Sequence, residues 1–546
     1  MPAWLVQLRC YPRKGRGRHK ICITVEPTAT TSPMTSPETE APMTKTGTPV
    51  GQDTLAPAIA RYVPLGAWVI VIMTVILIPS KIISYGYLPQ DDALRHAAKA
   101  VSGKPWSEIL VMRSDFLIDP HPGWHAVLGT IHRWQNSGTE ALVVISVATL
   151  MVLVSLAVLP WLRWPETWLC ALLFAGICVP RLITRFTLGR PFLFTISVFL
   201  VLILMWTRLG DRKPRLVHLV TSTLLIALAA WIHGGWYQLS LPIAGLLLAR
   251  RWRPALWYGV CWLAGSFLGC AFTGHPWQFL FQSVRHLFGV FGDYHVDREL
   301  STELLPSGGD PVVVLAVIAM LLWRSRSPDW KARDLLNPIF MMAVIGWLLG
   351  LRMYRFWDDW GLPATMLWLA LELQRQFETH VRFNSLSRLL LTAGTAMAAF
   401  LACTSDISSR YTWNLTNEYL TQDNPELSGW LPDPGGVLYS ADMRVFNETF
   451  FKNPNAPWRY VLGFEPALMK PEDLAVLRKV QWNFGDVRAY EPWVKKMQPQ
   501  DRLVLRASWL HAPGPPNIPE LEWKYAVSDL WVGRLPRSES PAARAR

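Results

Sequence analysis

Asp91 and Asp92 stand side by side just beyond the first long apolar run of the chain, two residues after Pro89. Adjacent carboxylates repel each other, so one of them holds its proton more tightly. Such a pair is poised for proton transfer, or for holding a cation. The same position also suits the N-cap of a helix running through Leu94. Arg181, Arg185 and Arg190 fall in a short turn between two apolar runs, and Arg352 and Arg355 follow a later one. Guanidinium groups match phosphate well, whether it belongs to a specific ligand or to lipid headgroups reached by snorkelling. Asp115, Asp119, His121 and His125 share one stretch, Asp358 and Asp359 lie in Trp357–Trp360, and Asp293 and His295 lie in a third segment. Asp119, His121, Asp358 and Asp359 are the candidates for an acceptor or cation site. His121 and His125 could share a helical face as metal ligands, but a metal needs three or four converging groups, which this spacing does not supply. A structural role is the simpler reading for each of these residues.

The elements that must position these groups are apolar. Half of the residues are hydrophobic (51%), only 17% are charged, and there are 29 Trp among 546 residues. Runs near the ~20 residues needed to span a hydrocarbon core recur at 62–83, 141–160, 167–183, 191–207, 216–233, 236–249, 254–272, 311–323, 335–351, 361–374 and 387–403. These eleven runs predict an α-helical polytopic membrane protein with about eleven transmembrane helices. A soluble fold could bury one or two such runs, not ten.

The net charge of +13 first suggests nucleic acid, but Lys and Arg sit mostly between the apolar runs, where they act as orientation signals. No zinc-finger spacing or basic-region pattern argues for nucleic acid as a partner. With the N-terminus inside, the inner turns hold Arg163; Arg208, Arg212, Lys213 and Arg215; Arg250, Arg251 and Arg253; Arg324, Arg326, Lys331 and Arg333; and Arg375, Arg382 and Arg388. An odd number of spans then places the C-terminus outside, as expected for a multi-pass protein of the inner (plasma) membrane. Arg181, Arg185, Arg190, Arg352 and Arg355 break this bias, so their placement needs a reason. Few ionisable residues lie near the centres of the runs, which favours chemistry at the membrane face over passage through it.

Three domains are expected. Residues 1–60, rich in Thr, Pro and Ser, read as a disordered cytoplasmic tail, and 61–403 as the transmembrane domain. Residues 404–546 read as a small extracytoplasmic α/β domain. In that tail Val437–Tyr439, Arg459–Leu462, Arg502–Leu505 and Tyr525–Val532 read as strands, and Pro471–Val480 and Glu491–Met497 as helices. None of the seven cysteines lies beyond Cys403, so no disulfide framework is expected outside. Within the first outer loop, 84–140, two apolar stripes predict amphipathic helices at the membrane interface. One is Leu94, Ala97, Ala98 and Val101; the other is Trp124, Val127, Leu128 and Ile131, continued by Trp134.

This layout resembles the C-type glycosyltransferase superfamily, which includes oligosaccharyltransferases and protein mannosyltransferases. The resemblance covers 62–403 and the exported tail. Its most specific element is the acidic pair Asp91-Asp92 in a long first outer loop that also carries two amphipathic helices. It implies an inverting transferase that moves a sugar from a polyprenyl-phosphate donor to a glycan, lipid or protein acceptor. Asp91, with Asp92 close behind, would then deprotonate or orient the acceptor, and Arg181, Arg185, Arg190, Arg352 and Arg355 would hold the donor phosphate. No cofactor is implied with certainty; the lipid-linked sugar is the donor substrate, and a divalent cation is a further candidate. Trp357-Asp-Asp-Trp-Gly361 matches an oligosaccharyltransferase signature only superficially, because it lies at a membrane turn. A lipid-linked glycan flippase or polysaccharide exporter is the alternative from another class, and a non-enzymatic assembly subunit is a third.

Overall fold

The computed structural model describes residues 60–536, apart from 117, 293–304, 307, 328–329, 380–383 and 511–513. The predicted disordered tail and the segment around Asp293 and His295 lie outside the described residues. In chain order the first helices are α1 (Val63–Ser84), α2 (Asp92–Ser102), α3 (Pro122–Gln135), α4 (Thr139–Val158), α5 (Glu166–Cys178) and α6 (Pro180–Phe186). They are followed by α7 (Phe192–Leu209), α8 (Leu216–His233), α9 (Leu241–Leu248), α10 (Trp252–Ala271) and α11 (Pro276–Gly292). Then come α12 (Pro311–Ser325), α13 (Pro338–Gly350), α14 (Leu362–Thr379) and α15 (Ser385–Thr404). Every apolar run of the sequence is therefore helical.

Not every run is a simple crossing. Among the described residues, six helices are long and apolar enough to span a bilayer, namely α1, α4, α7, α8, α10 and α15. A seventh is added if the bent pair α5–α6 counts as one span. The run read as one span at 167–183 breaks between Val179 and Pro180, where the chain turns by 110°. Pro180 has no N–H to continue the α5 ladder, and it pushes the preceding residue out of the helical region. Others are too short: the 13 residues of α13 rise about 20 Å, against a core of about 30 Å. From Leu362 to Ala370, α14 is buried on all sides by protein. Two ion pairs, Arg388–Glu166 (2.7 Å) and Arg324–Glu372, tie the helices together; the first lies at the end of α5 opposite Arg181.

The C-terminal part is a mixed five-stranded sheet in the order β2-β1-β3-β5-β4. Its strands are β1 (Val437–Tyr439), β2 (Arg459–Tyr460), β3 (Arg502–Arg506), β4 (Glu522–Tyr525) and β5 (Leu530–Arg534). β1 pairs parallel with β2 and β3, and β5 pairs antiparallel with β3 and β4. Helices α16 (Met443–Lys452), α17 (Pro471–Trp482) and α18 (Glu491–Lys496) pack around it. Tyr525–Val532, predicted as one strand, is a hairpin: the Leu530 amide returns to the Val527 carbonyl, and Ser528 takes a left-handed conformation with φ 48°. Helix α16 is absent from the expectation, although Asp442 caps it by accepting from the Arg444 amide at 2.8 Å.

This sheet does not stand apart from the segment 84–140 that joins α1 to α4. Residues 110–112 run beside it, through a parallel bridge of Leu110 to Tyr460 and an antiparallel bridge of Met112 to Met469. Trp106, Ile109 and Leu110 share one buried apolar core with Phe450, Tyr460 and Phe464, and α16 packs directly on α2. The Trp106 ring lies 4.8 Å from that of Phe464. Trp106→Ala should therefore lower the thermal midpoint of the full-length protein, by the ~3–5 kcal/mol typical of a buried aromatic truncation. It should also expose segments after residue 404 to limited proteolysis. An unchanged midpoint would mean that the loop contributes nothing to this core.

Candidate functional site

The segment 84–140 between α1 and α4, the α5–α6 bend and the turn before α14 bring the sequence candidates into two clusters. Asp91 is the N-cap of α2, in extended conformation, with its carboxylate accepting from the Asp92 amide at 2.7 Å. The capping reading is thus realised, but it is not the only contact. Arg190 ion-pairs with Asp91 and also lies 3.6 Å from Asp92, which Arg95 holds at 2.8 Å. Gly189 makes this reach possible. It is left-handed (φ 64°), and a Cβ there would press on Val147 at 3.1 Å and Ala93 at 3.4 Å, so the backbone can lie tight against α2 and α4.

The acidic pair is electrostatically split. Burial raises the Asp91 carboxyl above its ordinary range, with Arg190 opposing and Asp92 adding to the rise. Burial also opposes ionisation of Asp92, but Arg95 and Arg190 together outweigh it and hold that carboxyl well below the usual range. Asp92 is therefore the fixed charge and Asp91 the stronger base, as expected for two carboxylates sharing one site.

The second cluster forms where the α5–α6 bend meets the turn before α14. Trp357–Gly361 is a single π-helical turn, wholly buried, of the kind that recurs at functional sites. It packs so closely on α13 that a Cβ on Gly346 would lie 2.2 Å from the Cα of Gly361. Asp359 accepts from Arg185 Nε at 2.6 Å and from Arg355 Nε at 3.2 Å. Arg181 ion-pairs with Asp310 and lies 3.7 Å from Asp358. Arg185 and Asp359 are both about 6% exposed, so this is a buried pair. Arg352 stands exposed just beyond α13.

The histidines join the two clusters. Phe192 lies under the Arg185 guanidinium (4.6 Å) and 6.5 Å from the His233 ring. His233 is in turn 5.7 Å from His121, and His121 is 4.9 Å from His96 on α2. Gly234 is again left-handed (φ 76°), and a Cβ there would meet the Pro120 carbonyl at 2.4 Å. That close approach seats the end of α8 against the loop carrying Asp119 and His121. From the C-terminal part, Phe464 covers the cluster by lying 4.2 Å from the Arg95 guanidinium.

Some expectations change. The α2 stripe of Leu94, Ala97 and Ala98 is buried, but so are Arg95 and His96, because α2 is packed between α3, α4 and α16 and does not lie on lipid. On α3, Trp124 and Leu128 are buried while Trp134 is 81% exposed and leaves the stripe. His121 and His125 do not pair as ligands on one face; His121 caps α3 and their rings are 6.3 Å apart. Asp115 is an exposed partner of Arg113 and Arg285, outside both clusters. Among the described residues no three His, Cys, Asp or Glu side chains converge as a metal would need, and Asp91 and Asp92 already face arginines. Arg95, His96 and His233 escape sequence reading; the first two lie in the acidic-pair helix itself, and His233 arrives only through tertiary packing.

Neither the family profiles nor the curated proteins give a match to this chain. Among solved structures it is similar to the oligosaccharyltransferase of Archaeoglobus fulgidus, determined with a tethered acceptor peptide containing the NVT sequon. The match has 11% identity and a TM-score of 0.46, and covers 83% of this chain and 69% of that one.

Proposed function

We propose that this protein is a membrane glycosyltransferase that moves a sugar from a polyprenyl-phosphate donor to an acceptor on the extracytoplasmic face. The observation that carries this reading is the convergence of a split acidic pair with buried arginines at one end of an apolar helical bundle. Asp91, the more basic carboxylate, takes the proton of the acceptor hydroxyl. Arg190, Arg185 and Arg355 face the donor phosphate and stabilise the charge that develops as it leaves. Attack opposite the leaving phosphate inverts the anomeric carbon. The same arginines ion-pair with Asp91 and Asp359, so an incoming phosphate exchanges one anionic partner for another and does not require burial of bare cations. Membrane lipids surround the spans, and the exported C-terminal part covers the acidic pair from outside.

Two measurements on the full-length protein test this reading. Lipid co-purified with it, identified by mass spectrometry, should include a polyprenyl-phosphate sugar. A reporter fused after residue 420 should be active outside the cytoplasm, and one fused near Lys213 inside. An inverted topology would place the acidic pair on the wrong face and end the proposal.

A further inference from the structure

Behind the acidic pair lies a hydrogen-bonded chain that neither the capping role nor phosphate binding uses. Asp119 Oδ2 is 2.5 Å from His125 Nδ1, and His125 Nε2 is 2.8 Å from His96 Nδ1. His96 and His125 are buried, at 1% and 8% exposure. Asp119 is fixed by a second bond, from the His121 amide at 3.0 Å. These contacts dictate the tautomers. A carboxylate only accepts, so His125 carries its proton on Nδ1 and donates it to Asp119. Its Nε2 is then a lone pair and must accept from His96 Nδ1–H. His96 is left with its own lone pair on Nε2, on the same helix as the acidic pair. The His121 ring lies 4.9 Å from that of His96, and its Nδ1 is buried with no hydrogen-bond partner among the described residues.

We propose that Asp119, His125 and His96 form a proton relay that removes the proton released at the acidic pair. This rests on the transferase reading. As the new C–O bond forms, the O–H bond of the acceptor breaks and its proton passes to Asp91. His121 then carries it to Nε2 of His96. As the N–H bond forms there, the Nδ1 proton of His96 moves to Nε2 of His125, leaving an imidazolium against the Asp119 carboxylate. One proton has moved inward, Asp91 is again a free base, and no redox partner is needed. His96 and His125 thus act through Asp91 and are positioning residues.

The groups facing this chain are mixed. Arg95, Lys99 and Asp92 come from α2, His121 from the loop before α3, His233 from α8, and Arg190 from the turn before α7. Trp106 lies 5.9 Å from His125. Burial, reinforced by Arg95, holds His96 and His121 well below the usual histidine range. Burial lowers His125 too, against the pull of Asp119. All three rings rest neutral near pH 7, as carriers of a transient proton require. An anionic donor beside Arg190 raises their proton affinity when it binds.

Full-length protein with 15N-labelled histidine, in detergent or nanodiscs, tests the relay without any activity. Imidazole nitrogen shifts should report Nδ1–H for both His125 and His96. A His96 ring protonated on Nε2 instead would overturn it. The kinetic arm uses Asp119→Asn, which keeps the acceptor oxygen but not the charge. Transfer kcat should fall ~10–100-fold with donor KM unchanged. The acid limb of the kcat profile should move to lower pH, because the relay loses the carboxylate that raises its proton affinity. Wild-type kcat and pH profile, or a lowered thermal midpoint with both unmoved per folded enzyme, would make the chain a brace only. If Asp119→Asn does not fold, the wild-type tautomers still decide. If no lipid-linked sugar is transferred while the tautomers are as stated, the transferase reading fails and the relay geometry stands.

Discussion

Asp91→Asn should abolish nearly all transfer, lowering kcat by ~100-fold or more, with expression and donor affinity close to wild type. The replacement keeps an oxygen that can still accept from the Asp92 amide, so the cap on α2, worth ~1 kcal/mol, survives. What it removes is the charge, and with it the base. Asp92→Asn should behave differently. Asp92 is the fixed anion that holds Arg95 and faces Arg190, so its loss should disturb donor affinity and stability as well as rate. The assay is transfer from a radiolabelled polyprenyl-phosphate sugar in proteoliposomes, with donor affinity measured separately. For wild type, activity should fall on the acid side at a pH above the ordinary carboxylate range. Burial raises Asp91, and only its deprotonated form accepts the proton. If both Asp→Asn variants keep full activity, the pair is a cap and nothing more.

The second large effect concerns Arg185. Arg185→Ala should weaken donor binding ~10–100-fold, the size of a lost charge-assisted contact, and lower kcat in addition. The competing reading is a structural brace, because Arg185 and Asp359 are buried together, and removing one partner of such a pair costs ~3–5 kcal/mol of stability. Replacing both, as Arg185→Met with Asp359→Asn, separates the two. The double variant leaves no buried Asp359 charge uncompensated and should regain the thermal midpoint. Its donor affinity should stay low if Arg185 meets phosphate. Recovery of affinity along with stability would reduce Arg185 to a brace.

Much of this site is legible in one dimension because its residues violate the rules of their surroundings. Arg181, Arg185 and Arg190 oppose the charge bias of the flanking turns, and Asp91-Asp92 is an adjacent pair at the mouth of an apolar run; all five fall in the two clusters. The relay is not legible in that way. His125 and Asp119 are six residues apart and readable as neighbours, but His96 comes from another helix, and the 2.8 Å contact exists only because α2 packs on α3. His233 and Asp310 are likewise delivered by helix packing. Asp358 and Asp359 are readable as acceptor or cation candidates, but only the π turn sets Asp359 between Arg185 and Arg355.

The sequence by itself determined where the helices are, because spanning a hydrocarbon core demands long apolar runs and each run is helical. It also located the first three strands of the tail, through short apolar segments between turn residues, but merged the last two, which a turn at Val527–Leu530 separates. Only the tertiary structure decided which runs cross simply: Pro180 marks where a helix can break, but the 110° turn there and the burial of α14 by its neighbours are set by packing, not by hydropathy. Only tertiary structure decided that the C-terminal sheet shares its core with the loop between α1 and α4. The pairing of Leu110 with Tyr460 is a long-range contact, and no local periodicity encodes it. For the same reason the charges could be listed from the sequence but not partnered. The partner of a buried ion is set by which surfaces the fold closes around it, an arginine for Asp92 and Asp359 and a histidine with a backbone amide for Asp119.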